Sequence, residues 1–412
     1  MKRTGVVIGV LAGVLAMAST VLAACGTSSG PPAGAPRGPA LTADFSHTGP
    51  GALISAERLV DLVQPLRDRS SLAARIVYES TSGINDSHSL VSGTVFVPNG
   101  EPPPGGWPVV SFAHPATGIQ SRCAPSASPS LMGSAPDVVA LLDAGFVVTA
   151  TDYQGLGLRD TDHPAADRSI GPFNGYHPFL DSTTEGYNVI DAVRAARTLV
   201  PAASTSFAAY GVGQGGQAAW AADELAGDYR GGLTLVGVAA VRPTAALDGL
   251  ADAAAAGTLT KDQQTTLQQF LAALGHEYGD FPLDAYRHGA AKRDWDVLSA
   301  CWGSAVADRA RAVDQMGPDD LRPDGPDATQ VLRGYLRKTS LPQAPAAAPM
   351  LVVPDGPQGL VSPDQAAAAV AAACGMGDVI TQGPPDADPV AWLTGRFSGT
   401  TAQNDCPAPT AG

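Results

Sequence analysis

The sequence predicts an α/β fold: a mostly parallel sheet with helices on both faces and a helical insertion. Three observations carry the prediction. From about residue 90 onward, short apolar runs alternate with longer helix-patterned stretches, as strands joined by crossover helices do. No repeat of roughly 34 to 45 residues recurs, which argues against a solenoid or propeller. The 412 residues are 44% hydrophobic and only 16% charged, enough apolar material for one large elaborated domain or two ordinary ones. A net charge of −14 without any Lys/Arg-rich run excludes binding to nucleic-acid phosphates by charge. With 47 Gly and 35 Pro, loops should be many.

The first elements concern address. Lys2 and Arg3 precede an apolar run from Val6 to Leu22 interrupted by small residues, the pattern of a secretory signal over residues 1–24. The run ends in Leu22-Ala23-Ala24-Cys25, which resembles a bacterial lipobox; Cys25 is then the acylated N-terminus of the mature chain. Two fatty chains at roughly 0.8 kcal/mol per buried CH₂ suffice for stable anchoring. Plain secretion and a retained helix are the alternatives. Gly26 to Ala43 is a Gly/Pro/Ser/Ala stretch, and residues 25–45 are expected to form a flexible tether. Four cysteines remain, Cys123, Cys301, Cys374 and Cys406. Outside the cytoplasm they suggest two disulfides, with three pairings open. A zinc site is disfavoured by the lack of any CxxC or HxxxH.

Strand-like segments follow at Leu90–Val97, Val109–Ala113, Phe146–Thr151, Phe207–Tyr210, Val236–Val241 and Met350–Val353. Helical stretches lie between them at Asp137–Ala144, Thr183–Leu199, Gln217–Leu225 and Asp364–Ala373. The second opens with Ser182-Thr183-Thr184-Glu185, a capping-box spacing, and sets Val189, Ile190, Val193 and Ala196 on one face. Between residues 245 and 337 no strand signal appears, while Thr260–Leu274 and Asp327–Arg337 look helical. A helical insertion between two sheet strands reads as a cap. The expected core is therefore 46–244 and 338–412, with the cap at 245–337.

The decisive motif is Phe207-Ala208-Ala209-Tyr210 followed by Gly211-Val212-Gly213-Gln214-Gly215-Gly216 and an Ala-rich helix. Strand, Gly-flanked turn and helix in that order form the nucleophile elbow of the α/β-hydrolase fold, G-x-S-x-G. Here Gly213 stands at the centre. Glycine adopts the strained dihedrals of such a turn at little cost, so the shape is retained without the hydroxyl.

With the elbow, His114-Pro115-Ala116-Thr117-Gly118, Cys123-Ala124-Pro125-Ser126, Asp152-Tyr153-Gln154-Gly155-Leu156-Gly157, His177-Pro178-Phe179, Asp191 to Arg197, Cys301-Trp302-Gly303, Ala391-Trp392-Leu393 and Cys406, the chain resembles the secretory lipase family over residues 50–406. The resemblance implies an α/β-hydrolase core with a helical cap and the pairings Cys123–Cys301 and Cys374–Cys406. It also implies a catalytic acid after Met350–Val353, where Gln358 takes its place and Asp355 lies three residues early. A histidine should follow the next strand, around Val379–Asp388. The seven histidines are His47, His88, His114, His163, His177, His276 and His288, so none reaches that segment. The oxyanion region, His114, Pro115 and Thr117, has a proline without an N–H, leaving the Gln214 amide as one donor.

Substitutes for the triad are not evident. Ser206 lies seven residues before Gly213, about 23 Å back at roughly 3.3 Å per residue. His276 and His288 sit in the cap and still need a nucleophile. Trp220, Trp302 and Phe397 are candidates for an acyl pocket or for core around the elbow. Asp152-Tyr153 reads as holding loops together, and Gly155 and Gly157 precede no lysine that would make a phosphate loop. The leading expectation is a catalytically inactive lipase homologue, anchored outside the cell, that binds a lipid or acyl small molecule or an envelope partner. The alternatives are an active lipase or carboxylesterase of lipid catabolism using other groups, and a structural envelope lipoprotein. No cofactor, metal or nucleic acid is expected.

Overall fold

The computed structural model describes residues 38–158, 162, 175–229, 231–301, 303, 305–356 and 359–407. The expected signal segment 1–24 and Cys25, with His163, Trp302 and Gln358, lie outside them. Nine strands form one sheet in the order β1-β2-β3-β5-β4-β6-β7-β8-β9. They are β1 (Leu53–Arg58), β2 (Ser70–Thr81), β3 (His88–Pro98), β4 (Trp107–Ala113), β5 (Val147–Thr151), β6 (Ala203–Val212), β7 (Thr234–Val241), β8 (Met350–Val353) and β9 (Ile380–Gln382). From β5 to β9 every pairing is parallel, and β1, β2 and β3 extend the sheet by antiparallel pairing on to β5.

Alternation across the pleat divides the central strands between two cores. Val109, Phe207, Ala209, Val238 and Ala240 pack in one cluster, while Val110, Phe112, Ala208, Tyr210 and Ala239 pack in the other. Strands apolar on both faces explain why the sequence shows continuous Val/Ala runs there. The helices are, in chain order, α1 (Gln64–Arg69), α2 (Ala135–Asp143), α3 (Ser182–Leu199), α4 (Gln214–Tyr229), α5 (Gly249–Ala256), α6 (Lys261–Glu277), α7 (Gly289–Arg293), α8 (Trp295–Leu298), α9 (Ala305–Gln315), α10 (Gly325–Thr339), α11 (Pro363–Met376) and α12 (Pro389–Phe397). Residues of α3, α4 and α11 bury against the first face; those of α2 and α12 bury against the second.

Several local expectations change. The cap of α3 is Asp181, whose carboxylate accepts the Thr184 N–H at 2.9 Å, so Ser182 is already helical. Asp, like Ser, caps well, and here it stands one position earlier. The end of the tether expected over 25–45 is ordered: Ala40 bridges Glu57, the Leu41 N–H donates to Ala56 O, and Leu41 and Ala43 pack on the core. Their apolar surface is worth burying. Helix α4 starts at Gln214, which draws Gly215 and Gly216 into its first turn.

The insertion after β7 contributes six helices, α5 to α10, and no strand among its described residues. Thr260 caps α6 in a reciprocal capping box with Gln263. Leu250, Leu267, Phe270, Leu271, Leu332 and Leu336 share a separate apolar cluster that also takes in Ile119, Phe179 and Leu180 from core loops.

Candidate functional site

Gly213 sits between β6 and α4 with φ +60°. Its N–H donates to Val241 O at 2.9 Å, and its carbonyl accepts from Gln217 N at 3.2 Å and Thr244 N at 3.3 Å. The neighbouring glycines are dictated by close approach. A Cβ on Gly211 would lie 1.9 Å from Gly215 O, one on Gly215 1.8 Å from Ala113 O, and one on Gly216 2.9 Å from Val241 O. At Gly213 the nearest atom to a Cβ would be Pro115 Cβ at 3.9 Å. The turn therefore has room for a side chain at its centre and none at its flanks. The first-turn amides of α4, Gln214 among them, have no carbonyl of their own helix to bond.

Opposite the turn, His114 is buried. Its Nδ1 donates to Pro115 O at 2.7 Å, and Nε2 lies 3.3 Å from Asp152 O. Burial holds its pKa down at about 4, so the ring is neutral at ordinary pH. Thr117 Oγ1 is buried without a hydrogen-bond partner among the described residues. Asp152 is fully buried and accepts from Ser92 Oγ at 2.6 Å, Ser126 N at 2.8 Å and Ser126 Oγ at 2.5 Å, while Tyr153 donates its hydroxyl to His114 O at 3.0 Å. This pair ties the loops after β4 and β5 to each other and to strand β3.

Beneath the turn lies a buried network that sequence reasoning did not single out. The Gln214 side-chain amide donates to Glu185 Oε1 at 2.7 Å and to His177 Nε2 at 2.6 Å. His177 Nδ1 donates to Gln154 O at 3.0 Å, which leaves Nε2 as the acceptor. Glu185 Oε1 also accepts the Leu180 N–H at 3.0 Å. Burial pushes the Glu185 carboxyl up, opposed by the hydrogen bond it accepts from Gln214. The network locks the elbow to the start of α3. Its signal was available: Glu185 occupies the helix face of Val189 and Ala192, where a charge stands out.

The remaining expected residues are dispersed. Asp355, half-buried after β8, accepts the Leu360 N–H at 3.0 Å. His276 stacks on Tyr176 with centroids 3.3 Å apart, and His288 Nε2 donates to Arg322 O at 2.9 Å. Ser206 pairs with Thr234 at the opposite end of β6 from the turn. Trp220 lies on the α3/α4/α11 face, whereas Phe397 packs at a tilt against Phe146 across the sheet, so the two do not line one pocket. Disulfides join Cys123 to Cys301 and Cys374 to Cys406, the pairs the resemblance implies. Among the described residues no group of three or more His, Cys, Asp or Glu side chains is placed to hold a metal ion.

The secretory lipase family profile matches residues 134–325, from the start of α2 to the start of α10. The resemblance to the secretory lipase family is borne out. No curated protein matches the chain by sequence. Among solved structures, the chain is similar to Candida antarctica lipase A in its closed state, with TM-score 0.65 and 15% identity over 87% of this chain and 84% of that one. It is also similar to the rice cell wall degrading esterase LipA from Xanthomonas oryzae in a ligand-bound form, with TM-score 0.64 and 19% identity over 86% of this chain and 97% of that one. At these identities the likeness shows the fold, an α/β-hydrolase. The family match and the two disulfides point to an extracellular protein.

Proposed function

We propose that this protein is a catalytically silent member of the lipase family that binds a lipid or acyl ligand, or an envelope partner, outside the cell. The observation that carries the reading is Gly213: the turn has the conformation and the room for a nucleophile and holds only a hydrogen. The rest of a triad is short as well. The last histidine is His288, far ahead of β9, and Gln358 stands at the acid position that the resemblance implies. In serine hydrolases, loss of triad members leaves only about 10³–10⁴-fold catalysis over water, from binding and oxyanion contacts. Anchoring through acylated Cys25 belongs to the same proposal and is tested by mass spectrometry of the membrane fraction for a diacylated N-terminal peptide.

The deciding experiment is hydrolysis of short-chain nitrophenyl esters by purified protein against a heat-killed control, with fluorophosphonate labelling in parallel. Neither turnover nor labelling is expected, while lipid extraction and mass spectrometry should recover a bound ligand. Saturable turnover would favour an active esterase and overturn the proposal.

A further inference from the structure

Beside the elbow helix the structure leaves a cavity of about 160 Å³ between α4, the end of β8 and the start of α11. Its walls are the buried side chains of Trp220, Val352, Val361, Ala369 and Val370, and half-buried Asp355 stands at its rim. The volume is comparable to the roughly 150 Å³ apolar cavity that takes up benzene in an engineered protein. A hydrocarbon of that size regains the dispersion contacts that the empty space forfeits. A long acyl chain would extend out of it into solvent. The one charged group at the rim is a carboxylate, on a chain of net charge −14. It repels an anionic head and attracts a donor or a cation.

We infer that this cavity binds a short apolar ligand of about six carbons carrying a hydrogen-bond-donating head, an amine or alcohol, and discriminates against the matching carboxylate. The inference rests on the proposed ligand-binding function and narrows its ligand from lipids in general to short amphiphiles. Ala369 and Val370 supply the floor because α11 turns its small-residue face to the sheet, and Trp220 closes the side nearest the turn.

The test is calorimetric titration of the intact protein at neutral pH with hexylamine, 1-hexanol and hexanoate, with ester hydrolysis measured on the same preparation. Hexylamine and hexanol should bind, and hexanoate should bind about tenfold more weakly or not at all. Asp355→Asn should bring hexanoate to within about threefold of hexanol. Ala369→Phe, which fills the cavity, should abolish binding of all three; if that variant fails to fold, Ala366→Leu at the cavity wall should weaken hexanol at least about threefold. Equal binding of hexanoate and hexylamine, no binding of any probe, or binding unaffected by filling would each overturn the inference. Ester turnover by a protein that binds hexylamine as expected would sink the silent-enzyme proposal alone.

Discussion

Restoring the missing hydroxyl by Gly213→Ser separates the shape of the turn from its chemistry. A Cβ at this position meets nothing closer than Pro115 Cβ at 3.9 Å, so the serine fits without displacing backbone. Its cost is the left-handed conformation at φ +60°, about 1–2 kcal/mol for a residue with a Cβ. The variant should therefore fold, with a modestly lowered denaturation midpoint. Its activity should stay near zero. A typical hydrolase turning over at about 10 per second, deprived of its base at a cost of about 2 × 10⁶, is left with on the order of 5 × 10⁻⁶ per second. Nitrophenyl butyrate hydrolysis, followed for hours with the wild type as blank, measures this. A rate near one per second, or stoichiometric fluorophosphonate labelling, would show that a base stands within reach of residue 213 and would refute the reasoning.

Three further outcomes follow from the structure. Gly215→Ala places a methyl 1.8 Å from Ala113 O and should cost more than about 4 kcal/mol or prevent folding, whereas Gly334→Ala, exposed inside α10 with nothing within 4 Å, should stabilise by about 0.5–1 kcal/mol; urea titration compares them. Burial raises Glu224 from 4.5 to about 7, so the stability tied to its proton is complete below pH 4.5 and lost as pH rises through 7. His114, lowered from 6.5 to about 4, works oppositely between those values. The difference between wild type and Glu224→Gln isolates the first effect, and it should reach about 2 kcal/mol between pH 4.5 and 7.5 after allowance for solvent screening; a flat difference would contradict it. Finally, the Cys123–Cys301 bridge spans 178 residues and Cys374–Cys406 spans 32, so replacing the first pair by alanines should cost about 5 kcal/mol and the second about 4 in the chain-entropy account, measured by denaturant midpoints.

The central parallel strands were legible because their middles are buried on both faces and announce themselves as runs, Val109–Ala113 and Phe207–Tyr210 being the clearest. On the antiparallel side β3 was read as Leu90–Val97, but β1 and β2 were not. β2 carries Arg75 and Glu79 among its apolar residues, and both are buried by partners distant in sequence: Arg75 donates to Gly157 O at 2.8 Å, and Glu79 accepts the Gly49 N–H. Such charges mask the pattern until the partners are known. The elbow was read from its glycines, and the structure supplies their reason in the contacts of 1.8 and 1.9 Å that a Cβ would make.

By itself the sequence determined the β-α rhythm, the elbow's outline and the absence of a hydroxyl at residue 213, because these depend on residue identity and on contacts between near neighbours. Only the tertiary structure decided that Gln214, His177 and Glu185 meet beneath the turn, and that α4, β8 and α11 enclose an apolar cavity rimmed by Asp355. Hydrogen bonds and empty volumes arise between segments separated by tens to well over a hundred residues. Their existence is set by how the layers pack, which no local pattern records.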